Sequence, residues 1–133
     1  MNLLLDTHVL VWAESMLDRL GLVTRTLLLD PANRLLVSPV SSLEIARLIS
    51  LSRVSFNRPL IDWLAQARTH LGFEDAPFTH HAAMDSYELP GNFHKDPADR
   101  MLVATARTQD CMLLTADDLI LRYPHVRTLD ARQ

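Results

Sequence analysis

Asn2-Leu3-Leu4-Leu5-Asp6-Thr7 forms the chain's first apolar run and ends it on a carboxylate. An apolar stretch of this length without alternation reads as a buried strand, solvated on neither face. Asp6 stands at the strand's carboxyl end, where an ionised group is poorly solvated and needs a partner. Thr7 is placed to cap a short helix through Val9-Leu10-Val11-Trp12-Ala13. A buried strand that stops on an acid and turns at once into a helix is the repeating unit of a layered α/β fold.

Similar units recur along the chain. A helix is expected over 23–29, stopped by Asp30-Pro31, then a buried strand over 34–38. Leu43, Ile45, Leu48 and Ile49 fall near a 3.6 period and place a helix over 41–51. Pro59 in a first turn and Gly72 just past the end bracket another over 59–71. A strand is read over 73–78, interrupted by Glu74-Asp75, and a short helix over 79–87 stops before Pro90-Gly91. Asp96-Pro97-Ala98-Asp99 opens the best-defined helix, which runs to 109. A strand over 111–115, a helical turn or two over 117–122 and a last strand over 126–129 complete the chain. Five strands separated by helices make an α/β fold, a five-stranded mostly parallel sheet with helices on both faces.

Composition bounds the rest. The 133 residues suit one domain, 1–133, with no linker, repeat or low-complexity tract. With 48% apolar and 22% charged residues the balance is globular. The charge, 13 − 16 = −3, argues against holding nucleic acid by positive charge alone, though not against an enzyme whose bound metal supplies it. Cys111 is the single cysteine, so no intrachain disulfide forms, which suits a reducing, cytoplasmic setting. No apolar run reaches membrane-spanning length, and no basic region precedes an apolar one at the start.

The placement of five acids carries the chemistry. Asp6 ends the first strand, Glu44 lies in the first turn of the helix after the second, Asp96 and Asp99 open a later helix, and Asp117 comes just after the fourth strand. In a parallel sheet those places share the carboxyl edge, where ligands of open α/β sheets bind. Carboxylates at ~4 Å repel by about 4 kcal/mol per pair at an effective dielectric of ~20, so a cation is expected among them. Hard oxygens without zinc-type His or Cys spacing favour Mg²⁺ or Mn²⁺, the ions of phosphodiester hydrolysis. Helix capping explains several acids singly: Glu44 in a box with Ser41, Asp96 as an N-cap, Asp117-Asp118 at the next helix. It does not explain their common edge.

Leu3 to Trp12, Val37-Ser38 through Ser42-Leu43-Glu44-Ile45-Ala46, His94 to Ala106 and Leu113-Leu114-Thr115-Ala116-Asp117 together resemble the PIN-domain ribonucleases, and among them the VapC-type toxins of toxin–antitoxin pairs. The resemblance, in order over essentially the whole chain, implies a metal-dependent endoribonuclease with Asp6, Glu44, Asp99 and Asp117 as the catalytic cluster. Asp6 and Asp99 would be the principal metal ligands, with Asp117 completing the site; Glu44 would act on the metal through water or orient the attacking water, and Asp96 matches an additional acid of the His-x-Asp-Pro-x-Asp-Arg subset. It also implies RNA as substrate, a VapB-like antitoxin as partner, and homodimerisation. Leu43 and Leu48 depart from the pattern, standing where relatives often carry Trp and Lys. Arg47, one residue before Leu48, lies ~100° around the helix and does not replace that lysine.

Lys95, the single lysine, and Arg100 flank the Asp-Pro-Ala-Asp turn as candidates for the RNA backbone, with Arg53 and Arg58 as further choices. No histidine pair has zinc-motif spacing, and His8 is read first as structural. Two other functions are weighed. A non-cleaving PIN-like binding module would lack the acids, which are present. A phosphatase with Asp6 as nucleophile would carry a second Asp two residues on, where His8 stands.

Overall fold

A computed structural model describes residues 1–133. Five strands, β1 (Asn2–Leu5), β2 (Arg34–Val37), β3 (Glu74–Asp75), β4 (Met112–Thr115) and β5 (Thr128–Asp130), form one sheet in the order β3-β2-β1-β4-β5. Every pairing is parallel. The chain builds outward from β1 to β3 on one side, then crosses back to lay β4 on the other. The crossover point therefore lies between the carboxyl ends of β1 and β4, where a crevice opens in folds of this topology.

Period-two alternation decides which core each strand residue joins. Leu3, Leu5, Leu35, Val37 and Leu114 face one layer, with Trp63 and Ala67 of α4 (Leu60–Leu71) and Val9, Leu10 and Ala13 of α1 (Thr7–Ser15). Leu4, Leu36 and Leu113 face the other, with Leu102, Val103 and Ala106 of α6 (Pro97–Thr108). Burial on both faces is why the strands read as continuous apolar runs. The remaining helices are α2 (Leu22–Leu29), α3 (Pro39–Ser50), α5 (His80–Asp85) and α7 (Asp118–Leu121), with a 3₁₀ turn at Leu17–Arg19.

Most boundaries shift from the sequence reading by a residue or two, the last strand for example to Thr128–Asp130, and three departures bear on the site or the sheet edge. The helix expected from 41 starts at Pro39, because the Ser38 side chain accepts from the Val40 N–H at 3.0 Å and Pro39 occupies the first turn. The strand expected over 73–78 is only Glu74–Asp75, an exposed edge held by two register pairs to β2. The first helix is capped by Asp6, not Thr7. Gly72 takes a left-handed φ of 69° after α4, which a side chain would strain.

Candidate active site

Asp6 leaves β1 as the N-cap of α1 and is 3% exposed. One carboxylate oxygen accepts from the Thr7 N–H at 2.7 Å, and the other from the Thr115 hydroxyl at 2.7 Å. Each oxygen keeps a second lone pair for a further ligand. Burial nonetheless holds the Asp6 carboxyl above the ordinary range, against the lowering effect of both bonds. Thr115, at the end of β4, also accepts from the Asp117 N–H at 3.0 Å. One hydroxyl thus ties two acids from opposite ends of the chain.

Asp117 caps α7 through one oxygen, which accepts from Leu119 and Ile120 N–H at 2.8 and 3.3 Å. Glu44 does not make the box expected with Ser41. Because α3 begins two residues before Ser41, the Glu44 carboxylate turns toward α1 and accepts from the Thr7 hydroxyl at 2.5 Å. The Ser41 hydroxyl lies 2.9 Å from the same Thr7 oxygen. Burial and the Asp6 charge push Glu44 upward too. Asp96 is the N-cap of α6, accepting from the Asp99 N–H at 3.0 Å, and stands exposed at the rim.

Asp99, in the first turn of α6, has a side chain 15% exposed and a carboxyl pushed up to about 8. Burial is the main cause, followed by the charges of Asp6, Asp96, Asp117 and Glu44. The other four acids expected at the carboxyl edge thus all lie within electrostatic reach of Asp99. The tightest cluster, with ligand atoms within 4.8 Å of one another, is Asp99, Asp117 and His94.

Spacing rules do not find His94, since its companions come from other elements and not from a second nearby histidine. Thr7 and Thr115 escape them as well; an apolar strand that ends on a hydroxyl at a ligand edge is the available signal. His94 Nε2 is shielded from solvent and lies 3.0 Å from an Asp99 carboxylate oxygen without forming an aligned hydrogen bond. A ring nitrogen crowded without an aligned bond among mutually repelling acids fits a cation as their shared neighbour, and the donors, mostly hard oxygens, suit a divalent ion.

Arg100 does not face outward as an RNA contact. Its guanidinium donates to the carbonyls of Ser86, Phe93 and His94 at 2.8, 3.0 and 3.0 Å, clamping the loop ahead of α6. Its charge is thus directed into the fold. Lys95 is exposed and makes no ion pair. Arg47 lines a cavity of about 300 Å³ together with Leu43, Glu44, Asp96 and Met101.

A fully parallel sheet with acids at its crossover edge defines the class: an open α/β domain with a candidate cation site at its ligand-binding crevice. The PIN domain family model matches residues 3–126, and Ribonuclease VapC22 of Mycobacterium tuberculosis is 31% identical over 126 residues, covering 95% of each chain. The chain belongs to the PIN-domain family, among its VapC-type ribonucleases. The fold is shared with a DNA-bound VapBC structure from Salmonella typhimurium (TM-score 0.69, 17% identity, 98% of each chain). It is also shared with VapBC2 from Rickettsia felis bound to a promoter DNA fragment (TM-score 0.64, 16% identity, 97% of this chain and 98% of that one).

Two outcomes are expected of this geometry. Thr115→Val keeps the shape but removes the hydroxyl joining Asp6 and Asp117, and should weaken divalent-ion binding by about 10- to 100-fold, read by calorimetry. In chelator, a carboxyl raised in the folded state binds more protons there than in the unfolded chain. Stability then falls as pH rises from about 4 through about 8. Thermal melts should show wild type losing stability between about pH 5.5 and 8, with a shallower loss in Asp99→Asn.

Proposed function

We propose that this protein is a divalent-metal-dependent endoribonuclease and the toxin of a toxin–antitoxin pair, with Mg²⁺ or Mn²⁺ as its ion. The observation that carries this reading is the convergence of Asp6, Glu44, Asp99 and Asp117 at the crossover edge of a PIN domain. Asp6, Asp99 and Asp117 are the ligands proposed to hold the ion, with Glu44 and Asp96 completing the acidic rim. When bound, such an ion lowers the pKa of water and offsets charge on phosphate oxygens.

The chain's own residues do the rest. Glu44, fixed by Thr7, is the carboxylate placed to orient the attacking water and accept its proton. Thr115 sets the positions of Asp6 and Asp117 against each other. Lys95, exposed beside Asp96, is the side chain proposed for the RNA backbone, with Arg100 assigned instead to holding the loop.

The proposed partners are RNA as substrate, a VapB-like antitoxin, and a second copy of the chain. Large apolar side chains left exposed, including Leu22 and Leu29 on α2 and Ile61 on α4, support protein partners. An antitoxin carrying a basic residue would match the acidic edge. No helix is long and apolar enough to cross a membrane, and the single buried thiol suits the cytoplasm proposed for this domain.

Incubation with single-stranded RNA should give cleavage that requires Mg²⁺ or Mn²⁺ and stops with chelator. Asp6→Asn should lower the rate by about 100-fold or more, since metal-assisted charge stabilisation supplies several kcal/mol at about 1.36 kcal/mol per tenfold. Unchanged cleavage by that variant would contradict the assignment.

A further inference from the structure

We propose that His94 is itself a ligand of the active-site ion, contributing one nitrogen to the oxygen shell and shifting the site's preference from Mg²⁺ toward Mn²⁺. This rests on the carboxylate-metal reading above and extends it to a residue that reading does not use.

Three features of His94 meet in one place. Its Nε2 lies 3.0 Å from an Asp99 carboxylate oxygen, and the Asp117 carboxylate completes a triplet within 4.8 Å. The same nitrogen makes no aligned hydrogen bond, although a carboxylate oxygen is within reach. A hydrogen bond of that length would direct the ring N–H along the line to the oxygen. Two neighbouring ligands of an octahedral ion behave differently. With bonds of about 2.1 Å they sit about 3.0 Å apart, each lone pair pointing about 45° off the line that joins them. Opposite corners lie about 4.2 Å apart, so a triplet of this size is close to what one shell holds.

The ring is held in place before any ion arrives. Arg100 fixes the carbonyls of Phe93 and His94, and the His94 ring packs on Phe93 at a centroid distance of 4.4 Å. Phe93 rests in turn on Tyr123 at 4.7 Å, whose hydroxyl donates to the Pro90 carbonyl. Arg100 is thus a positioning residue for the nitrogen. Imidazole suits first-row transition ions, whereas Mg²⁺ keeps oxygen ligands and its waters, so one ring nitrogen biases the choice. The competing role is a cationic His94 that merely neutralises Asp99.

The test uses the whole chain loaded with Mn²⁺ and electron spin-echo envelope modulation, which detects ¹⁴N bound to the ion. Wild type should show imidazole nitrogen coupling, absent in both His94→Ala and His94→Gln. Calorimetry should show the ratio of Mn²⁺ to Mg²⁺ affinity falling by about tenfold or more in His94→Gln, whose amide oxygen keeps a ligand in place. Mn²⁺ binding that Asp99→Asn weakens but that carries no nitrogen coupling would overturn the His94 ligand and leave the carboxylate site standing. Coupling that persists in both His94 variants would also overturn it, with His8 as the other imidazole near the edge. Mn²⁺ binding indifferent to Asp99→Asn would overturn the carboxylate site and the His94 proposal together.

Discussion

Like charges gathered in a poorly solvated crevice are the constraint around which this molecule is arranged. Burial alone raises Asp6, Glu44 and Asp99, and the acids raise one another further. Such a cluster costs folding free energy unless protons or a cation relieve it. The sheet bears that cost because its apolar layers are continuous on both faces, with Leu3, Leu4 and Leu5 fully buried directly ahead of Asp6. Rigidity at the end of β1 is what keeps the first carboxylate from swinging out to water.

Hydroxyl groups do the fine positioning. Thr7 reaches across to Glu44, and Thr115 to both Asp6 and Asp117, so strand ends and helix starts are joined by side chains and not only by the ladder. Several acids serve twice. Asp6, Asp96 and Asp117 each cap a helix while also facing the edge. Capping and ion binding are compatible because a carboxylate that accepts one N–H retains lone pairs on the other side. The choice between a structural acid and a functional one is therefore a false one here.

The layer architecture was legible in the sequence because strands buried on both faces leave unmistakable apolar runs, as at Leu3-Leu4-Leu5 and Leu113-Leu114. The acids at strand ends were legible for the same reason: topology alone sends them to one edge. What escaped was directional. The orientation of Glu44 depends on α3 starting at Pro39, a two-residue shift beyond the resolution of periodicity. Arg100 looks like a surface cation in the sequence, and only the path of the 86–94 loop reveals three carbonyls around its guanidinium. His94 is invisible to spacing rules because its neighbours are assembled from α6 and the end of β4. Edge strand β3, two charged residues long, carries too little pattern to be bounded from sequence.

The proposed chemistry at this edge calls for a cation lying among these side chains. Crystals grown with Mn²⁺ and measured near its absorption edge give the position directly through anomalous scattering. The expected result is a peak at the carboxyl edge between β1 and β4, within bonding distance of Asp99 and Asp117. A well-ordered crystal whose strongest peak lies elsewhere, with the five acids at the edge unliganded, would contradict it.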